Sequence, residues 1–491
     1  MKTVTPTLKI DTMKKQNNFS SPLREHVSSQ TRDRRGAVLL FILTLFSFTF
    51  SAQTYKTNYT HDYSQTLVMK VVISVPDQKG GTKIFNTFDQ ALEIIKQADA
   101  LSLGVPKIIY LVGWQYNGHD DKYPAMFEVN KVLKRPGDKD ARESLLWLMK
   151  EAKKYHTIVS LHINMTDAYK NSPLWDEYVE HDLLGKSFSG KLNVLGNYNG
   201  RKAYQIVYKK EWEAGYTKMR IDSLLKLLPP LREAGTIHVD AWIARPSRGH
   251  GISLEEEQEY QKKGAAYWRE QGIDVTSEWV MDYMVGIVPF AWHFNKMEQE
   301  GYMKIPANVY TGSGLNPDVH KTDFALGFLF GKSMYGETVF PSLYQGERVE
   351  EWKDLFAKDF YLNCLQYFYL NKLKREKVEG KGKKRVACFS DDVVVSLTDR
   401  TVKKDSFLMR EKDFVFFPVV WKYAPQIATY STKDEDRKVL LPDSWSDVKQ
   451  ISMYRVTEEG EQFVKDIRVK KGEVKLELKK RIPYLLKPVK K

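Results

Sequence analysis

From about residue 65 to 372 the chain alternates two kinds of hydrophobic pattern. Short, mostly apolar runs, Leu67–Val75, Lys107–Gly113 and Ile158–Ile163, read as strands buried on both faces. Between them, apolar residues recur every three or four positions, the spacing of one helix face. Phe88, Ala91, Leu92, Ile95 and Ala98 form one stripe; Ala141, Leu145, Leu148, Met149 and Ala152 form the next. Thr87 with Gln90, and Ser253 with Glu256, have capping-box spacing, in which two side chains satisfy each other's backbone N–H groups. Gly272 ends the helix that Ser253 starts, and a strand, Ile273–Trp279, follows at once. Further strands are expected at Thr236–Trp242, Ile305–Thr311 and Val339–Tyr344. A helix is expected around Tyr216–Leu228 and a long final one at about Arg348–Lys374, with a polar, glycine-containing insertion at about 165–211.

Repeated strand–helix units imply a parallel sheet. About eight of them predict an α/β fold of the (β/α)8 TIM-like barrel type, spanning 65–372. A doubly wound open sheet is the alternative, and no glycine-rich phosphate turn supports it. Beyond the charged stretch 372–385 the pattern changes to short alternating runs: Val386–Leu397, Phe407–Trp421, Lys449–Val456 and Gly472–Leu478. Residues 386–491 therefore predict a small antiparallel β-sandwich domain.

Composition narrows the function classes. A chain of 491 residues that is 42% hydrophobic and 28% charged is not a disordered protein. Its net charge of +14 sits in the leader 1–35, the linker 372–385 and the tail 461–491, and the remainder is slightly acidic. A nucleic-acid binder carries its basic residues on a folded face among aromatics, so no nucleic-acid partner is expected. Two cysteines, Cys364 and Cys388, exclude a disulfide scaffold and a thiolate metal cluster. Arg34 and Arg35 precede an apolar run, Ala37–Phe50, and then small residues, Ser51 and Ala52. That is the pattern of an export signal, too short to span a bilayer. Residues 1–52 are read as a leader, and the mature chain as periplasmic, cell-surface or secreted, with no stable membrane span after cleavage.

In a (β/α)8 barrel the chemistry sits at the carboxyl ends of the strands. Those ends here carry Trp114–Pro124 (WQYNGHDDKYP), His162–Asn164, Asp240–Trp242 and Glu278–Trp279. A carboxylate ending a buried strand is costly unless used or paired. Asp240 and Glu278 fall on consecutive strands, about 4.8 Å apart in a sheet. Carboxyls roughly 5–5.5 Å apart suit a retaining glycosidase, and about 6.5–9.5 Å an inverting one. The alternative is that both acids are neutralised by Arg245 or Arg248 in the following loop. His119, Asp120, Asp121, His162 and Asn164 suit gripping sugar hydroxyls, capping loops or, less well, holding a metal. No metal-binding spacing such as HExxH occurs, and neither a metal nor a cofactor is expected. Trp114, Trp242, Trp279 and Trp292 sit at or just past strand ends, and together suggest an aromatic-walled sugar pocket. A G-x-S-x-G nucleophile elbow is absent.

The motifs LVGWQYNGHDDKYP (Leu111–Pro124), SLHINMTDAY (Ser160–Tyr169), HVDAW (His238–Trp242) and TSEW (Thr276–Trp279) resemble, in order, the catalytic domain of glycoside hydrolase family 101. These are the endo-α-N-acetylgalactosaminidases, with family 129 as a relative. The resemblance implies a retaining hydrolase acting on α-linked N-acetylgalactosamine of mucin-type O-glycans, so that the partner is a glycan or glycoprotein. It places the nucleophile on Asp240 and the acid/base on Glu278. It also places His119, Asp120, His162 and Asn164 around the sugar, with Trp279 as the aromatic after the acid/base. Asp167 stands where the family pattern leads one to expect Glu. A related α-galactosidase-like enzyme and a non-catalytic surface glycan binder are the competing readings.

Overall fold

The computed structural model describes residues 57–77, 79–294, 299–312, 326–333, 340 and 352–489. The leader 1–52 lies outside these residues, as does the expected strand Val339–Tyr344 apart from Phe340.

Strands β1 (Leu67–Val72), β2 (Lys107–Val112) and β3 (Thr157–Asn164) are buried almost throughout, as continuous apolar runs require. They pair in parallel, Lys70 beside Tyr110 and Tyr110 beside Ser160. A hairpin, β4 (Val194–Tyr198) and β5 (Arg201–Gln205), belongs to the insertion. The parallel sheet then continues with β6 (Thr236–Asp240), β7 (Asp274–Val280), β8 (Phe290–Phe294) and the short β9 (Thr311–Gly312). Its order is β1-β2-β3-β6-β7-β8-β9. Helices α1 (Phe88–Leu101), α2 (Ala141–Glu151), α3 (Tyr216–Leu227) and α4 (Leu254–Glu270) lie in the connections, and both expected capping boxes are formed.

Alternation along the strands divides two interiors. Met69, Val71, Ile109, Leu161, Ile237, Val239 and Val275 pack into the main core together with the helix stripes. Val68, Ile108, Tyr110, Phe290 and Trp292 form a separate cluster on the other face. That face is concave: the rings of Tyr110 and Trp292, four strands apart in the sheet order, lie 6.1 Å apart. The seven parallel strands thus form a TIM-like, curled sheet. The eighth stave and the closure expected from the sequence fall outside the described residues.

The concave face carries buried polar side chains, and several of them bond to one another. Tyr63 and Tyr110 both hydrogen-bond Thr236 Oγ1 (2.7 and 2.5 Å), Ser160 Oγ donates to Thr236 O (2.6 Å), and His238 Nδ1 meets Thr276 Oγ1 (3.1 Å). The insertion is no open loop. It holds a three-stranded sheet of Asp167–Ala168, β5 and β4 and its own core, which includes Ala168, Leu174, Tyr178, Leu184 and Tyr204.

After a helical run, Trp352–Asn371, which contains one wide turn at Phe360–Cys364, the chain forms a ten-stranded antiparallel sheet. A second, two-stranded sheet joins Glu435–Leu440 to Glu473–Leu478. The expected sandwich of two modest layers is thus one large sheet with a small companion. The charged stretch 372–385 is part of it: Arg375–Glu379 pairs with Val386–Phe389 as the edge strand, where lysines suit an exposed rim. Phe360 and Phe368 pack edge-on against Trp421 (6.1 and 5.3 Å), joining this domain to the final helix. Cys364 and Cys388 are both free thiols.

Candidate active site

The site is a consequence of register. Asn164 of β3 pairs with Asp240 of β6, and Val239 of β6 pairs with Ser277 of β7, so Glu278 lies beside Asp240. One layer deeper, His162, His238 and Thr276 line up in the same way. Three consecutive staves therefore end in a polar row at the carboxyl edge. The Asp240 and Glu278 side chains are 15% and 18% exposed, enough to be reached from solvent. They are hydrogen-bonded to each other. Two carboxylates have no donor between them, so this clasp holds a proton. Burial, and then the neighbouring Glu278 charge, push Asp240 well above the usual carboxylate range.

The loop after β2 wraps this pair. Tyr116, Asp120 and Lys122 all adopt left-handed backbone there (φ 43°, 59° and 61°), a cluster of strained non-glycine residues beside the acids. Ala241, directly after Asp240, is another (φ 37°). Gly113 makes the turn into the loop possible: at φ 81° a Cβ would sit 1.8 Å from Ser74 O. His119 Nε2 lies 3.4 Å from Asp120 Oδ2 and 3.8 Å from Asp240 Oδ2, and His162 Nε2 lies 3.6 Å from Asp240 Oδ1. Burial, with the Lys70 charge, holds the His162 imidazole neutral. Burial likewise pushes the Asp120 carboxyl up.

Other expected residues serve the scaffold. Asp121 is fully buried, 3.2 Å from Arg201 Nη1, and accepts from Asn171 Nδ2 (2.7 Å) and the Asn117 N–H (3.3 Å). It fastens the β2 loop to the insertion. Asn164 accepts from the N–H groups of Thr166 (2.7 Å) and Asp167 (2.8 Å) and donates to Asp167 Oδ2 (3.0 Å), the loop-capping alternative. Three of the four tryptophans are core residues: Trp114 and Trp292 are wholly buried and Trp242 is 3% exposed. Trp114 Nε1 donates to His162 O (3.0 Å), and the Trp292 ring meets His238 edge-on at 4.4 Å. Trp279 alone of the four is half-buried, so the expected aromatic wall is reduced to one member.

Three further residues contribute, of which only Asp167 stands out in the sequence motifs. Lys70 lies mid-strand in β1, 2% exposed, with Nζ 3.5 Å from Glu278 Oε1 and 4.9 Å from the Trp292 ring centre. A charge interrupting an apolar strand was the available signal. Asp167 is buried beside Asn164 and Tyr169, and burial followed by the Asp120 charge pushes it up to about 7. Arg245, weighed as a partner for the catalytic candidates, acts on Asp167. Tyr198 is the third. It is 44% exposed at the end of β4, where the β4–β5 turn is the two-residue Asn199-Gly200, both left-handed (φ 50° and 76°). Asn199 Nδ2 donates to His119 O (3.1 Å), which pins the hairpin tip to the site.

His119, His162 and Asp240 bring three donor atoms within 4.8 Å of one another. The Lys70 charge, which acts on His162, opposes a cation there.

A family model for glycoside hydrolase family 101, described as endo-alpha-N-acetylgalactosaminidase, matches residues 52–303, just over half of the chain. The chain belongs to glycoside hydrolase family 101. Among solved structures, this family member resembles the alpha-N-acetylgalactosaminidase NagBb from Bifidobacterium bifidum in its GalNAc complex (TM-score 0.53, 12% identity). The match covers 70% of this chain and 58% of that one. A quadruple mutant of NagBb matches similarly (TM-score 0.51, 12% identity, 69% and 57% coverage). At such identity the likeness concerns the fold, and the match spans under three-fifths of the NagBb chain. No curated protein sequence matches the chain.

Proposed function

We propose that this family 101 protein is a retaining glycoside hydrolase that cleaves α-linked N-acetylgalactosamine from mucin-type O-glycans, and that it acts after export. The observation that carries the reading is the Asp240–Glu278 pair: two reachable carboxyls, side by side on neighbouring staves and hydrogen-bonded to each other. Their contact is far closer than the 6.5–9.5 Å or so at which a water fits between the carboxyls of an inverting enzyme. The family description, and the name carried by the structurally similar NagBb, support this choice of sugar.

In the reaction, the sugar parts the clasp. Asp240, ionised, attacks the anomeric carbon as the bond from that carbon to the Ser/Thr oxygen breaks. The shared proton, now on Glu278, passes to the leaving oxygen. Glu278 then takes a proton from water, whose oxygen bonds to the anomeric carbon while the bond to Asp240 breaks. Two displacements return the α-configuration. His119, Asp120 and His162 surround the carboxyls with groups that can hydrogen-bond hydroxyls. Trp279 and Tyr198 supply partly exposed rings at the rim, while Asp121, Asn164, Trp114 and Trp242 hold the frame.

The test is proton NMR of the first sugar formed from an aryl α-GalNAc and from a mucin glycopeptide. The α-anomer of a GalNAc-terminated product is expected. An initial β-anomer overturns retention, hydrolysis of α-galactosides in preference overturns the sugar, and glycan binding without release points to a binder.

A further inference from the structure

We propose that Lys70 is a positioning residue for the reacting pair: its ammonium keeps one of the two clasped carboxyls ionised, so that the pair holds one proton and not two. This rests on Asp240 and Glu278 being that pair. Lysine in the middle of a fully buried strand is expensive unless its charge is matched. Lys70 points from β1 across the concave face, with Nζ 3.5 Å from Glu278 Oε1 and over the electron-rich face of Trp292.

The groups that face this charge come from every neighbouring stave. Tyr110 of β2 stands beside Lys70 in register. His162 of β3 and His238 of β6 are held neutral by burial and by the Lys70 charge itself. Asp240 of β6 and Glu278 of β7 carry the negative charge, and Asp120 from the β2 loop adds to it. The two imidazoles therefore supply no compensating cation in the floor of the site. Burial drives carboxyls towards their protonated forms. A doubly protonated pair has an acid but no nucleophile. A doubly ionised pair has a nucleophile but no acid, and could not form the observed hydrogen bond. Lys70 acts against the first of these failures. Because its Nζ lies 3.5 Å from Glu278 Oε1, its influence passes through the pair.

The experiment is the pH dependence of kcat/KM on an aryl α-GalNAc for the full chain and its K70M variant, whose side chain is of similar length without charge. Loss of the cation moves the acid limb to higher pH by about 1–3 units. Turnover of K70M should fall at least tenfold on the acid side, recover as pH rises, and leave KM little changed; K70R should lie between. An acid limb unmoved in K70M, or a loss equal at every pH, overturns the proposal. If K70M does not fold, infrared titration of wild type against E278Q decides. The pair should take up its second proton well below neutral pH, and uptake near neutrality overturns the proposal. That titration reads the protonation of the pair even if no substrate is hydrolysed, whereas a wild-type chain that is inert on every α-GalNAc substrate overturns the functional reading.

Discussion

Asp240 and Glu278 end adjacent parallel strands at one register level and are joined by a hydrogen bond. In the proposed reaction each serves a different half. Asp240→Asn should reduce turnover of every α-GalNAc substrate to background. Glu278→Ala should lose about 10²–10⁴-fold on glycopeptides, whose leaving oxygen needs a proton. It should lose far less on dinitrophenyl glycosides, and azide should restore its turnover. Steady-state rates of the two variants with both leaving groups check the assignment, and equal losses on both substrates in Glu278→Ala contradict it.

Asp167 gives a pH signature in stability. Its carboxyl rises from 3.8 to about 7 on folding, chiefly through burial. The folded state therefore binds this proton more tightly than the unfolded chain, and wild type loses stability as pH climbs from about 4 through 7. Asp167→Asn keeps an acceptor for Asn164 Nδ2 but has no charge to bury. Its Tm should equal that of wild type near pH 4, exceed it increasingly up to pH 7, and stay ahead by a constant margin beyond. Thermal melts at matched ionic strength across that range test this; a margin that does not vary with pH contradicts it.

What the sequence disclosed, and what it did not, follows from which interactions are local. The capping boxes at Thr87 and Ser253 need only four residues each, and both were legible. Asp240 and Glu278 stood out because acids ending apolar strands are rare enough to demand a use. Trp114, Trp242 and Trp292 share that position but not the exposure. Whether a ring at a strand end faces the cleft or the core depends on neighbours far away in the chain, such as His238 beneath Trp292. Asn164 was ambiguous for the same reason: a side chain that grips sugar and one that caps its own loop look alike in one dimension. Lys70 was passed over because five apolar neighbours outweighed it. Asn199-Gly200 is a strong hairpin signal, but nothing local says that the hairpin reaches His119, 80 residues away.

Arg220 holds the frame from behind. Its guanidinium, wholly buried, meets Glu211 Oε1 at 2.6 Å and donates to Pro124 O and Asn164 O, each at 2.8 Å. One side chain thus ties α3 to the end of β3 and to the β2 loop. Arg220→Met leaves the Glu211 charge buried without its partner and should cost about 3–5 kcal/mol in urea unfolding. Arg220→Met combined with Glu211→Leu removes both charges and should recover much of that loss. Activity should stay low in both, because the carbonyls of Pro124 and Asn164 lose their shared donor. A double variant as unstable as the single one contradicts the account.

In the proposed function, Tyr198 meets what surrounds the cleaved sugar. Its ring is presented by a hairpin with a two-residue Asn-Gly turn whose tip is bonded to His119 O. Burial and the charges of Asp167, Asp120 and Asp240 raise its phenol, so these carboxyls lie close to it. An exposed ring held this firmly loses little freedom on stacking with a ligand. Tyr198→Ala should raise KM for a mucin glycopeptide several-fold, in line with about 0.5–1.5 kcal/mol for one aromatic contact. It should leave kcat nearly unchanged, since the hydroxyl touches neither Asp240 nor Glu278 in the reaction proposed. Tyr198→Phe should behave as wild type, because the face of the ring and not its hydroxyl does the binding. Michaelis profiles of the two variants decide: a fall in kcat with constant KM, or a Phe variant as weak as Ala, rejects the stacking role.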